Sequence, residues 1–111
     1  DLNTTTAVLN DPAKRRALVD TVRAIVAASS QVTRRPADVR PLLSSRINVP
    51  NETIVDVWQH FTFAGGLPTD MLDVLTEEEQ WVAALQKRAP RVRAQLQGLI
   101  DESILRAARL P

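Results

Sequence analysis

The sequence has no cysteine, one histidine, one methionine, three glycines and four aromatic residues in 111 positions. Without cysteine there is no disulfide scaffold, no thiolate metal site and no cysteine nucleophile, while the redox compartment stays open. No apolar run approaches the roughly 18 residues of a membrane-spanning helix. Neither charge is in excess, because 14 basic against 13 acidic residues leave a net +1. That balance argues against a general nucleic-acid surface and against an electrostatic membrane binder. No signal-peptide pattern is present, since the chain opens on Asp1 and a polar run instead of a basic and then an apolar segment. A start at Asp without Met suggests a processed or excised chain. No internal repeat or low-complexity tract occurs. What remains is the length of one domain, with 44% hydrophobic and 24% charged residues, the usual mix of a globular chain.

The scarce residues are concentrated. Both tryptophans, both phenylalanines, the histidine, the methionine and two of the glycines lie between Asn51 and Leu85. Ile54, Val57, Trp58 and Phe61 recur at i, i+3, i+4 and i+7, one stripe of a helix over residues 50–62. Gly65-Gly66 breaks the pattern, and Pro68 suits the first position of a second helix over 68–88. There Met71, Leu72, Leu75, Val82 and Leu85 lie on one side, with Trp81 at its edge. Thr76-x-x-Glu79 matches a capping box, so this helix either restarts near Thr76 or runs through with three glutamates on its wet side.

Upstream, residues 1–10 carry Thr4, Thr5, Thr6 and Val8, and this β-branched run predicts a short strand. Asp11-Pro12 is an N-cap followed by a first-turn proline, opening a helix over 11–30. Its stripe is Leu18, Val22, Ile25 and Val26, widened by Ala17, Val19 and Ala28. A short helix follows over 37–46, which Pro41 either kinks or begins. Residues 92–109 read as a last helical stretch containing the cap-like Asp101-Glu102-Ser103. The pattern is mostly α with one N-terminal strand.

Few residues suggest chemistry. His60, four after Asp56, matches a base oriented by a carboxylate, but equally a helix-surface pair. No Gly-x-Ser-x-Gly elbow is present. Glu77, Glu78 and Glu79 are consecutive, so on a helix they point apart and do not converge on a metal ion. Lys14-Arg15-Arg16 reads as a solvated face, set against the helix dipole at an N-terminus. Trp58, Phe61, Phe63 and Trp81 read as core side chains rather than a stacking platform. Gly65-Gly66 lacks the longer glycine pattern of a phosphate loop and reads as a turn. No catalytic residue, metal ligand or cofactor is assigned, and an enzyme is not expected.

Four segments together resemble a known family: DPAKRRALVDTVRAIVAAS, RRPADVRPLLSSRINVPNETIVDVW, FTFAGGLPTDMLDVLTEEEQWVA and LQGLIDESIL. They are similar to the C-terminal portion of ABC-importer solute-binding proteins of the nitrate, sulfonate and taurine type, which includes pyrimidine-precursor binders. The shared features are the Pro helix start before Ala13, Pro36-x-Asp38, the Val49-Pro-x-Glu-x-x helix start to Ile54, an aromatic at Phe61 or Phe63, Gln80-Trp81, and Ile100-Asp-x-Ser103. The chain departs from the family in being far too short for two lobes and in carrying Arg91 and Arg93 before the Ile-Asp-x-Ser segment. The resemblance implies the helical C-terminal part of a two-lobe α/β periplasmic-binding-protein fold of type II. It implies a small-molecule solute held between lobes, an ABC permease as partner, and a bacterial periplasmic or extracytoplasmic location. Asn3 or Thr5 would approach the cleft, and the ligand-binding residues stay unassigned. Such a segment without its lobes is expected to self-associate. The alternative is a free-standing helical interaction module using the Trp58 and Phe63 region.

Overall fold

The computed structural model describes residues 2–110. They are mostly helical, with no β-strand among them. The seven helices are α1 (Thr6–Asn10), α2 (Pro12–Arg34), α3 (Pro36–Ile47), α4 (Asn51–Trp58), α5 (Met71–Leu85), α6 (Arg93–Gln97) and α7 (Ser103–Arg109). Their contacts divide the chain into two units, one ending at Gly66 and the other spanning Leu67–Leu110. The division falls just after the glycine pair, where Leu67-Pro68 carries no helix.

The N-terminal strand expected over residues 1–10 does not form. Asp1 lies outside the described residues, Leu2–Thr5 has no regular structure, and α1 takes the rest. A lone strand would leave its backbone groups without ladder partners. Thr5 instead caps a helix, its Oγ1 accepting from the Val8 amide at 3.3 Å. Asp11 then caps α2, its Oδ1 accepting from the Ala13 and Lys14 amides at 2.9 and 3.1 Å, with Pro12 in the first turn.

Helix α2 runs on through the polar stretch after Ser29 to Arg34. Thr33 supports that last turn by donating its hydroxyl to the Ser29 carbonyl at 3.0 Å. Only Arg35 leaves helical geometry, at φ −132° and ψ 55°. The proline ring at Pro36 forbids the α region to its predecessor, and α3 resumes at once. Pro41 lies inside α3. Helix α3 ends on Asn48 at φ 54°, a left-handed position that asparagine tolerates. The Ser44 hydroxyl closes the turn by donating to the Val49 carbonyl at 2.7 Å.

Helix α4 stops at Trp58, short of residue 62. The amides of His60 and Phe61 turn back to Val57 and Trp58, three residues earlier. Phe61 therefore leaves the stripe and is 60% exposed, whereas Ile54 is buried. Residues 59–66 instead fold onto α2. Thr33 Oγ1 reaches the Phe63 carbonyl at 3.3 Å. A Cβ built on Gly65 would stand 3.0 Å from the Val26 Cα and 3.2 Å from the Ser29 Cβ. Glycine is required here for close approach.

In the second unit, Pro68 forms a turn, its carbonyl accepting from the Met71 amide at 3.2 Å, and α5 begins at Met71. Thr76 does not restart the helix. Its hydroxyl donates to the Leu72 carbonyl at 2.6 Å inside a continuous α5. Lys87 ends it at φ 52°, with the Arg88 amide reaching the Ala83 carbonyl and the Lys87 amide that of Ala84. This is a Schellman turn with lysine where glycine is usual. Residues 92–109 hold two short helices, because Gly98 weakens the first and Asp101 Oδ1 takes the Ser103 amide at 2.7 Å to begin the second. The buried apolar residues of this unit are Ala83 on α5, Leu96 on α6, and Ile104 and Ala108 on α7.

Two substitutions test these turns. Gly65→Ala should lower unfolding stability by about 1–3 kcal/mol in urea titrations, through overpacking against the α2 backbone; an unchanged midpoint would show that residues 59–66 do not lie on α2. Lys87→Gly should raise stability by about 0.5–1 kcal/mol by relieving the left-handed backbone, and a loss would contradict the turn.

Candidate functional site

None of the residues suggested by sequence for chemistry is gathered into a reactive centre. His60 and Asp56 are both exposed, and no ion pair joins them. Lys14 lies by the Asp11 cap at 3.6 Å, a solvated helix-end pair. Among the described residues no group of three or more acidic or histidine side chains is arranged to hold a metal ion.

The aromatic residues divide. Trp58 and Phe63 pair at 4.9 Å between ring centroids, and Phe61 lies 6.2 Å from Phe63. The Arg40 guanidinium sits 5.8 Å from the Trp58 ring centre, a cation–π contact worth about 0.5–1 kcal/mol where solvent reaches it. Trp58 and Phe63 are half-buried. Trp81 was expected at the edge of a core stripe but is 66% exposed, and Leu85 is 64% exposed. Trp81 lies directly opposite the half-buried Leu72 on α5, and Leu85 lies between Trp81 and the half-buried Val82.

The most ordered polar cluster is one that sequence spacing did not reveal. Glu77 and Glu78 are exposed, but Glu79 is buried, at 8% exposure, and does not join the wet side. Its Oε2 accepts from Arg88 Nη2 at 3.0 Å, while Oε1 accepts from Arg88 Nη1 and from the Arg91 amide at 2.8 Å. Arg91 Nη1 stands 3.4 Å from Oε2. The carboxylate thus ties α5 to the turn leading into α6. Arg93 at the start of α6 adds an exposed ion pair to Asp73. The Arg88 guanidinium, then the Arg91 amide, hold the Glu79 carboxyl down from its ordinary 4.5 to about 2. The same bond raises Arg88 above its usual value. Every acceptor site is used in holding the turn, so the cluster is a structural clamp. Helical spacing rules do not reach it, because Arg88 and Arg91 lie beyond the Schellman turn.

An open groove of about 460 Å³ runs along the same unit. Leu72 and Ile100 supply its apolar lining, and Gln97, Ser103 and Arg106 part of its polar lining. Arg106 faces Glu102 at 3.8 Å. The Asp and Ser of the Ile100-Asp-x-Ser103 segment bond to each other, with the Ser103 hydroxyl and amide both donating to Asp101 Oδ1. Local turn formation accounts for this motif.

Large hydrophobic side chains stay exposed on both units, among them Leu42, Phe61, Trp81, Leu85 and Leu99, and no large side chain is fully buried among the described residues. No family model, curated protein or solved structure matches the chain.

The depressed Glu79 pKa has a defined sign. A carboxyl whose folded pKa lies below its unfolded value stabilises fully above the unfolded value and loses that contribution as pH falls through the folded one. The thermal stability of the Leu67–Leu110 unit in the intact chain should fall as pH drops from 4.5 to about 2. Glu79→Gln should lower the melting temperature at pH 7 and flatten this acid dependence. An unchanged acid profile in the variant would remove the clamp.

Proposed function

We propose that the chain is the C-terminal helical part of a solute-binding protein of an ABC importer, of the nitrate, sulfonate and taurine type. Its role in the whole protein would be binding, with two lobes closing on a small solute and the closed form docking on a permease. It would act outside the bacterial cytoplasm and perform no covalent chemistry. One observation carries the reading. Fourteen large hydrophobic residues, spread over both units, keep between 37% and 71% of their surface exposed. Helices so exposed are suited to lean on further protein. The order of the four quoted segments points to what that protein is. The strand expected over residues 1–10 lends this reading no support, because residues 6–10 form α1.

A free-standing interaction module is the second reading, favoured by the exposure of Phe61 and Trp81. The two part on one experiment. The reading frame upstream of Asp1 should encode a further α/β lobe preceded by an export signal. The longer protein should then show a raised melting temperature with taurine, an alkanesulfonate, nitrate or a pyrimidine, reflecting about 2.7 kcal/mol at a hundredfold excess over Kd. A start codon directly before Asp1, or no shift with any of the four, overturns the importer reading.

A further inference from the structure

One face of α5 is exposed and has no partner in the chain. At 100° per residue, Val74, Trp81 and Leu85 share it, at 45%, 66% and 64% exposure. They follow i, i+7 and i+11, so the apolar stripe is about 16 Å long. Glu77 runs along one edge and Glu78 along the other, both exposed. Asp70 stands one turn before Val74, exposed, its carbonyl accepting from the Val74 amide at 3.0 Å and its side chain making no cap bond.

Helix α5 contains no basic residue. Among the described residues, none forms an ion pair with Asp70, Glu77 or Glu78, and no ring packs on Trp81. Arg93 is committed to Asp73, and Arg88 and Arg91 to Glu79. Lys87 comes only beyond the last turn of α5.

Trp81 is the centre of this face. Long helical side chains lean back over the preceding turn, and residues three and four apart are surface neighbours. The Trp81 indole therefore lies toward Glu78 and Glu77. An indole with a carboxylate on either side suits a planar cation, whose guanidinium stacks on the ring while its N–H groups donate to the carboxylates. Val74 two turns before and Leu85 one turn after continue the seam with apolar contact. Charge then selects the occupant. A second copy of α5, a nucleic-acid backbone and an anionic lipid surface would all bring negative charge to these carboxylates. A helix whose apolar seam is edged by arginines brings the opposite charge and a matching stripe.

We propose that this face of α5 is the docking surface for a basic amphipathic helix of a partner protein, with one arginine of that helix stacked on Trp81 between Glu77 and Glu78. The inference needs only the Leu67–Leu110 unit and does not rest on the importer reading.

Calorimetric titration of the full chain with defined synthetic helices tests it. The probe is a peptide of about three heptads with Leu at a and d and Arg at e and g, and its controls carry Glu at e and g or the same residues in scrambled order. The Arg-edged helix should bind one to one, with a dissociation constant that rises about tenfold between low and high salt. Both controls should bind at least about thirtyfold more weakly, and Trp81→Ser should weaken the Arg-edged helix as much. Trp81→Phe, which keeps an aromatic face, should retain part of the binding. E77K/E78K should release the Arg-edged helix and take up the Glu-edged one instead. These positions are exposed, so circular dichroism should be unchanged. No heat with the Arg-edged helix at millimolar concentration overturns the proposal. So does a scrambled peptide that binds equally well, or binding that survives Trp81→Ser, since either reduces the effect to general attraction between charges. Sedimentation of the chain alone that shows a dimer abolished by Trp81→Ser places a second copy on this face and overturns it too.

Discussion

Helices of five to eight residues are not stable in water by themselves, and α1, α4, α6 and α7 are all that short. Each must be held by burial or by bonds at its ends, and burial is scarce. Among the described residues, only Ile54, Ala83, Leu96, Ile104 and Ala108 are buried and apolar. The fold therefore depends on how the orphan groups at helix ends are satisfied. Thr5 and Asp11 do so for α1 and α2. Ser44 secures the turn after α3. Glu79 secures the turn from α5 to α6 by accepting from two arginines and a backbone amide.

The two units use different devices for the same task. In the first, an irregular segment lies against a long helix, which Gly65 permits because it carries no Cβ. In the second, a buried carboxylate acts beside the buried apolar residues Ala83, Leu96, Ile104 and Ala108. A charge so buried is stable only when fully bonded, and Glu79 meets that condition. The second device is sensitive to acid, whereas the first depends on shape alone. Neither uses the large aromatic residues as a central core, since Trp58 and Phe63 pack half-buried on each other and Trp81 faces solvent.

This distribution bears on function. His60 is exposed, and Asp11, Asp20, Asp38, Asp73, Glu79 and Glu102 serve caps, ion pairs and one structural clamp. What the chain offers outward is apolar area edged by charge. The importer reading draws on that surface by supplying more of the same protein to cover it.

Sequence alone determined the features that arise within a turn or two of backbone. The Asp11-Pro12 start, the break imposed before Pro36 and the mostly helical class follow from local sterics and capping, which act over a few residues. The patterns became ambiguous where a local preference had to compete with distant groups. Thr4 to Val8 favour a strand by propensity, yet a strand needs a partner and a helix cap needs only Thr5. The aromatic stripe through Phe61 assumed a helix that ends at Trp58. Tertiary structure alone decided that Glu79 is buried and Glu77 and Glu78 are not, because its partners Arg88 and Arg91 return through a turn that no helical period anticipates. It also decided that Gly65 is a contact point, since the Val26 backbone it meets is distant in sequence and near only in space.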